Sequence, residues 1–246
     1  MINGYGTIDF DHRRAWRLHR GRSSVTTQSK KTGDLGGDGE PIVLVIDDDM
    51  GIRESLASLF LSVGLRVKVF GSALEFLQSN LPNAPSCLVL DIRLPGINGL
   101  DFQIDLTNAG IHIPIIFMTG HGDIPMTVQA MKAGAVDFLT KPLRHQEMIH
   151  AVTRGLAADQ KRRAAEKTVS DLRSLYESLT PREREVLPLV SAGMMNKLIA
   201  AELGVSEITV KVHRSNIMRK MHTRSLADLA RIADSLGIPH DKSSRI

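Results

Sequence analysis

Apolar and polar positions fall into two regimes along the chain. Between residues 41 and 155, short apolar runs alternate with stretches of helical spacing. Ile42-Val43-Leu44-Val45-Ile46 and Cys87-Leu88-Val89-Leu90 are unbroken apolar runs of strand length, the pattern of strands buried on both faces. Ile113 to Thr119 is a further strand, with Pro114 tolerated near its start. Arg66 to Phe70 and Val136 to Thr140 complete five. Ile52, Leu56, Leu59, Phe60 and Val63 recur at helical spacing until Gly64 stops them. Further helices are predicted over Ser72–Gln78, Leu100–Leu106 and Ile124–Ala133 and from about His145, with Pro95 to Gly99 as a loop. Five strands alternating with five helices predict an α/β domain with a parallel sheet covered on both faces. The length suits the flavodoxin-like doubly wound order, whose site lies beyond the first and third strands.

After residue 155 the strand runs stop. Residues 156–174 are charged and helix-prone, and Lys161-Arg162-Arg163 suits a solvated face of a helical linker. Residues 175–240 are predicted all-α with four helices. Thr180-Pro181-Arg182-Glu183 combines an N-cap, a first-turn proline and a capping-box glutamate. Asn196 to Leu203, the turn Gly204-Val205-Ser206, and a helix from Glu207 to about Met221 form a helix-turn-helix pattern. Ser225 caps a fourth helix. Residues 1–40 carry Gly, Ser, Thr and charge without a sustained period and read as a disordered basic tail. Its stretch from His12 to Arg20 is basic, with Trp16 as the one aromatic.

Composition sharpens this division. The 246 residues favour one or two domains. Residues 41–150 hold seven Lys/Arg against eleven Asp/Glu, whereas residues 179–246 hold eleven against seven. An acidic front and a basic back point to a metal or phosphoryl site followed by a polyanion binder. The one cysteine, Cys87, excludes an intramolecular disulfide and fits a cytoplasmic location. No run reaches the roughly 18 apolar residues of a membrane span, and the N-terminus lacks the apolar stretch of a secretory signal.

The candidate chemistry gathers at strand ends. Asp47-Asp48 follow the first strand, Asp91 ends the third, Thr119 the fourth, and Lys141-Pro142 follow the fifth. Converging carboxylates repel one another, and a hard divalent cation such as Mg²⁺ relieves that. An aspartate beside it can attack phosphorus and become an acyl phosphate, which adds roughly two negative charges. Lys141 would meet that charge, Thr119 would donate a hydrogen bond, and Gly120 would leave room. Asp49 reads as a helix cap.

These motifs resemble the receiver domain of two-component response regulators over residues 41–155. The resemblance rests on Val45-Ile46-Asp47-Asp48-Asp49, Leu90-Asp91-Ile92-Arg93-Leu94-Pro95-Gly96, Thr119-Gly120-His121-Gly122 and Asp137-Phe138-Leu139-Thr140-Lys141-Pro142. It implies that Asp91 is the phosphoacceptor and a sensor histidine kinase the donor. It implies Mg²⁺ held by the side chains of Asp48 and Asp91 and the backbone carbonyl of Arg93, with Asp47 acting through water. Thr119 and Phe138 would be the switch pair. Residues 175–240 resemble a LuxR-type DNA-binding domain, through Leu179 to Leu187, Asn196 to Ala200 and Val205 to His213. The combination is similar to the NarL/FixJ class, with a FixJ-like linker. Met194-Met195 before Asn196 departs from the pattern.

On the predicted helix after Ser206, Val210, Ile217 and Met221 share the packed side, with His213 near it. Lys211, Val212 and Ser215 are the base-contact candidates, since a helix in the major groove offers its early residues to base edges. Thr209 joins the DNA-binding set, and Arg214, Arg219 and Lys197 are assigned to phosphate. The expected partners are the kinase, double-stranded DNA, a second copy of the chain upon phosphorylation, and RNA polymerase, with no membrane. An aspartyl phosphatase would want a second acid where Arg93 stands, and a nucleotide-binding protein would want glycines where Asp47 to Asp49 stand. The expectation is therefore a regulator and not an enzyme.

Overall fold

The computed structural model describes residues 39–120 and 124–239. The basic tail through residue 38, His121 and Gly122 of the fourth-strand motif, and residue 240 onward lie outside the described residues. The chain divides into two compact units, with the division between Gln160 and Lys161.

The first unit is a five-stranded parallel sheet. Its strands are β1 (Ile42–Ile46), β2 (Arg66–Phe70), β3 (Ser86–Asp91), β4 (Ile115–Thr119) and β5 (Asp137–Thr140). Their spatial order is β2-β1-β3-β4-β5, the doubly wound order expected from the sequence. The helices are α1 (Met50–Ser62), α2 (Ala73–Gln78), α3 (Gly99–Asn108), α4 (Ile124–Lys132) and α5 (His145–Glu177). Successive strand residues point to opposite faces, so one unbroken apolar run supplies both cores. Leu44, Ile46, Leu88, Leu90 and Phe117 pack under Phe76 of α2, Phe102 and Leu106 of α3 and Ala130 of α4. Val43, Val45, Cys87, Val89, Ile116 and Met118 face Leu56 and Phe60 of α1 and Met148, Ala151 and Val152 of α5.

Two features go beyond the sequence expectation. The loop after β3 closes a small antiparallel ribbon, Arg93–Leu94 against Ile97–Asn98, because Pro95 and left-handed Gly96 (φ 82°) supply a tight turn. And α5 runs for 33 residues without a break, so that the last helix of the first unit and the charged segment after it are one helix. Its part in the first unit lies close to the sheet. A Cβ on Gly155 would come within 2.4 Å of Cys87 Sγ, and the buried Asp159 accepts a hydrogen bond from the Ser86 amide at 2.8 Å.

The second unit holds α6 (Pro181–Ser191), α7 (Asn196–Leu203), α8 (Glu207–Lys220) and α9 (Leu226–Ser235). Leu179, Val186, Leu187, Val190, Ile199, Val210, Ile217, Met221 and Leu229 form its core. The capping box is complete: Glu183 N donates to Thr180 Oγ1 at 3.3 Å, and Thr180 N donates to Glu183 Oε2 at 2.8 Å. Gly204 (φ 64°) ends α7 in the left-handed conformation, and Ser206 Oγ accepts from Thr209 N to start α8. Among the described residues no helix is long and apolar enough to cross a membrane.

Candidate functional site

The parallel order brings the ends of β1 and β3 side by side, which places their terminal acids together. One carboxylate oxygen from each of Asp47, Asp48 and Asp91 can be chosen so that all three lie within 4.8 Å of one another. Asp47 is fully buried, Asp91 nearly so, and Asp48 exposed. Lys141, carried in beyond β5, places its ammonium between two of them: Nζ donates to Asp91 Oδ2 at 2.6 Å and to Asp47 Oδ2 at 2.8 Å. Its own amide donates to the Thr119 carbonyl at 2.7 Å, which ties the ends of β4 and β5. Thr119 is fully buried at the end of β4. Arg93 N donates to Asp91 Oδ1 at 3.1 Å.

The electrostatics follow from burial and pairing. Burial pushes the Asp47 carboxyl above its ordinary range, against the pull of Lys141 and of the Asp49 amide. For Lys141 burial works downward, but the hydrogen bonds and charges of Asp47 and Asp91 outweigh it and hold the ammonium above the usual lysine value. The donor set of hard oxygens suits a magnesium-sized cation. Asp49 is the helix cap the sequence suggests, accepting from Gly51 N and Ile52 N. Phe138 on β5 is half-buried and packs against the core face beneath α2, α3 and α4.

Three features of the site were not foreseen in the sequence. Arg53, one turn into α1, donates to the carbonyls of Asp47 and Asp48 at 2.7 and 2.9 Å and pins the acidic loop from behind. Gly99 sits directly under the phosphoacceptor candidate, where a Cβ would lie 2.8 Å from the Asp91 carbonyl and 2.9 Å from Ile92 Cα. At Gly120, in contrast, a Cβ would meet nothing within 4 Å, so the room there does not depend on glycine.

In the second unit α8 carries the DNA-binding candidates. Lys211, Val212, Ser215 and Arg219 are exposed on it, and Lys197 is exposed on α7. Thr209 is engaged in the N-cap, its hydroxyl 2.8 Å from Ser206 Oγ. Arg214 is half-buried and donates to Asn196 Oδ1 at 3.0 Å, bridging α8 to α7. Ile208, absent from the sequence-based set, is 76% exposed and one turn before Val212, so the two form an apolar strip on the exposed face. His213 lies partly buried with Nδ1 unpartnered.

An acidic cluster bridged by a lysine at the carboxyl edge of a doubly wound sheet, joined in one chain to a helix-turn-helix unit, defines a receiver with a DNA-binding output. Residues 43–153 match the response regulator receiver domain, and residues 177–233 match the bacterial regulatory proteins of the luxR family. The chain belongs to the response regulators of the NarL/FixJ class, transcriptional regulators of two-component systems and not enzymes. It is 55% identical over 223 residues to Nodulation protein W of Bradyrhizobium diazoefficiens, across 91% of this chain and 93% of that one. It is 44% identical over 196 residues to the transcriptional regulatory protein FixJ of Azorhizobium caulinodans, across 80% and 93%. Among solved structures, the low-resolution structure of the response regulator StyR matches with a TM-score of 0.73 and 49% identity, covering 80% of this chain and 99% of that one. A receiver implies a histidine kinase partner, and the LuxR-type unit implies DNA.

Proposed function

We propose that Asp91 is the phosphoacceptor of a phosphorylation-dependent transcription factor that works in the cytoplasm. A carboxylate oxygen of Asp91 attacks the phosphorus of a kinase phosphohistidine. The P–N bond breaks, an acyl phosphate forms, and the histidine leaves with its proton restored. The observation that carries this reading is the ammonium of Lys141, within 2.8 Å of both Asp47 and Asp91. It would compensate the charge that the phosphoryl group brings.

Asp48, Asp91 and the Arg93 carbonyl would hold Mg²⁺, with Asp47 contributing through water. The cation supplies charge neutralisation for the incoming group. Thr119 would turn its hydroxyl to the phosphoryl oxygens, and Phe138 would follow further inward. Ile124, Val128 and Met131 are exposed at positions i, i+4 and i+7 of α4, an apolar strip suited to pairing α4 and β5 between two phosphorylated copies. A dimer then presents two α8 helices to half-sites about one helical turn apart. Lys211, Val212 and Ser215 would meet base edges, and Lys197 and Arg219 phosphates. Thr209 and Arg214 would shape that face from their engaged positions. RNA polymerase would be the partner that reads the bound dimer.

Intact mass after incubation with acetyl phosphate and Mg²⁺ tests the input step. The expected result is one added phosphoryl group in wild type and none in Asp91→Asn. An adduct that survives in the variant would remove Asp91 from the role. Gel filtration and DNA binding of the two phosphorylation states test the output.

A further inference from the structure

The exit end of the recognition helix is held by more than apolar packing. Lys220, the last residue of α8, donates its ammonium to Glu183 Oε2 at 2.6 Å and to the Ser178 carbonyl at 3.4 Å. Glu183 is 3% exposed. The same Oε2 accepts from Thr180 N, so one carboxylate closes the capping box of α6 and the contact with α8. Beside it, Arg184 donates to the Glu177 carbonyl at 2.7 Å while its guanidinium lies 5.5 Å from the Tyr176 ring. The carbonyls of Glu177, the last residue of α5, and of Ser178 just after it are therefore met by cations from α6 and α8, the sign that a helix C-terminus favours. All these residues belong to the second unit.

We propose that Lys220 is a positioning residue for DNA binding: through Glu183 and the Ser178 carbonyl it ties the far end of α8 to the start of α6 and the end of α5, and so fixes the angle at which Ile208 to Ser215 are presented. The inference rests on the reading of α8 as the base-contacting helix. Base readout by short side chains tolerates only small errors of angle and distance. The start of α8 is set by the Ser206 cap and its middle by Val210 and Ile217, and the contact of Lys220 adds a third fixed point. The charge of Lys220 is engaged by a buried carboxylate, unlike that of the exposed Lys197 and Lys211. It is not offered to a phosphate.

The test uses the full-length chain treated with acetyl phosphate and Mg²⁺. The probe is a duplex that wild type recovers from a randomised DNA library, with a scrambled duplex as control. Lys220→Met alone strands a buried carboxylate. The double variant Lys220→Met/Glu183→Gln removes both charges, and a glutamine at this position still closes a capping box. The double variant is expected to keep a cooperative C-terminal melting transition, no less stable than that of Glu183→Gln alone, and to bind the scrambled duplex as wild type does. It should bind the selected duplex at least tenfold more weakly, with an unchanged slope of log affinity against log salt. Lys197→Ala should instead weaken both duplexes and reduce the slope by about one. Lys220→Arg should restore selective binding to within about threefold of wild type, because charge-assisted hydrogen bonds remain available to it.

Wild-type discrimination in the double variant overturns the proposal. So does equal weakening on both duplexes, or a slope reduced by about one, which would make Lys220 a phosphate contact. Loss of the C-terminal transition overturns it too, since the pair would then hold the fold and not the angle. A wild-type chain that recovers no duplex overturns the DNA reading itself, and that result is visible before any variant is made.

Discussion

Lys141 Nζ and Asp91 Oδ2 stand 2.6 Å apart although 50 residues separate them along the chain. The contact exists because β3, β4 and β5 are consecutive neighbours in a parallel sheet and end at one edge. A hydrogen bond to a charged group contributes about 1.5–3 kcal/mol, and Lys141 is one-fifth exposed, which favours the lower end. Lys141→Met should therefore slow phosphoryl uptake about tenfold, by the conversion of roughly 1.4 kcal/mol per decade. A time course of intact mass with acetyl phosphate measures it. An unchanged rate would remove Lys141 from the input chemistry.

Gly99 approaches backbone, not flexible side chain. Its absent Cβ leaves room for the Asp91 carbonyl and Ile92 Cα, 2.8 and 2.9 Å from where that atom would be. Gly99→Ala should destabilise the first unit by roughly 2–3 kcal/mol, the upper range of overpacking, and displace Asp91 enough to impair phosphorylation. Urea denaturation and the same mass assay report the two effects. A stable, fully phosphorylated Gly99→Ala chain would contradict this.

Gly155 and Cys87 form a second tight approach, where α5 crosses β3. Here the obstacle is a side chain. Gly155→Ala should lose roughly 1–2 kcal/mol, an overpacking cost of about 1–3 kcal/mol partly offset by up to ~1 kcal/mol of helix propensity. Cys87→Ala in the same chain should recover much of it, since the Sγ contact at 2.4 Å disappears. Burial, reinforced by the charge of Asp159, pushes the Cys87 thiol up to about 12. Iodoacetamide at pH 8 should leave native chain unmodified and add one group in urea. Rapid native labelling would show that α5 opens from the sheet.

Glu183 makes the second unit sensitive to acid. Burial raises its carboxyl, but hydrogen bonds from Lys220 and Thr180 outweigh that and hold it below its ordinary 4.5. A depressed folded value means that its stabilisation is fully present above about 4.5 and is lost as pH falls through the lower folded value. The C-terminal melting transition should drop between pH 5 and 3 more steeply in wild type than in Glu183→Gln. At pH 7 the variant should be about 1–3 kcal/mol less stable. Parallel slopes for the two chains would show that other carboxylates govern acid unfolding.

Much of the molecule is legible in its sequence. The unbroken runs at Ile42–Ile46 and Cys87–Leu90 declared central strands, and Asp47, Asp48 and Asp91 stood at their ends. Thr180 to Glu183 announced α6, and the Gly204-Val205-Ser206 turn announced the helix-turn-helix. These features are local, written in periodicity, caps and turn residues within a few positions of one another. The ribbon at Arg93–Asn98 was missed because two-residue strands carry no period. The helix from His145 and the helix-prone segment after it were both legible, but not that they are one helix, because the apolar face changes character near Gln160 while the backbone continues without a proline or glycine stop.

By itself, then, the sequence determined which segments become strands and helices, which family they compose, and which side chains are chemically equipped for the site. Tertiary structure alone decided that Lys141 serves Asp47 and Asp91 together, that Arg53 pins the acidic loop, and that Arg214 faces Asn196. It also decided that Gly99 and Gly155 are positions without room and that Lys220 closes on Glu183. Apart from the contacts of Arg53 and Gly99, which reach five to eight positions, these pairings join residues from 18 to 94 positions apart. Local conformational preference does not reach that far, and only the packing of whole elements brings those atoms within hydrogen-bonding distance.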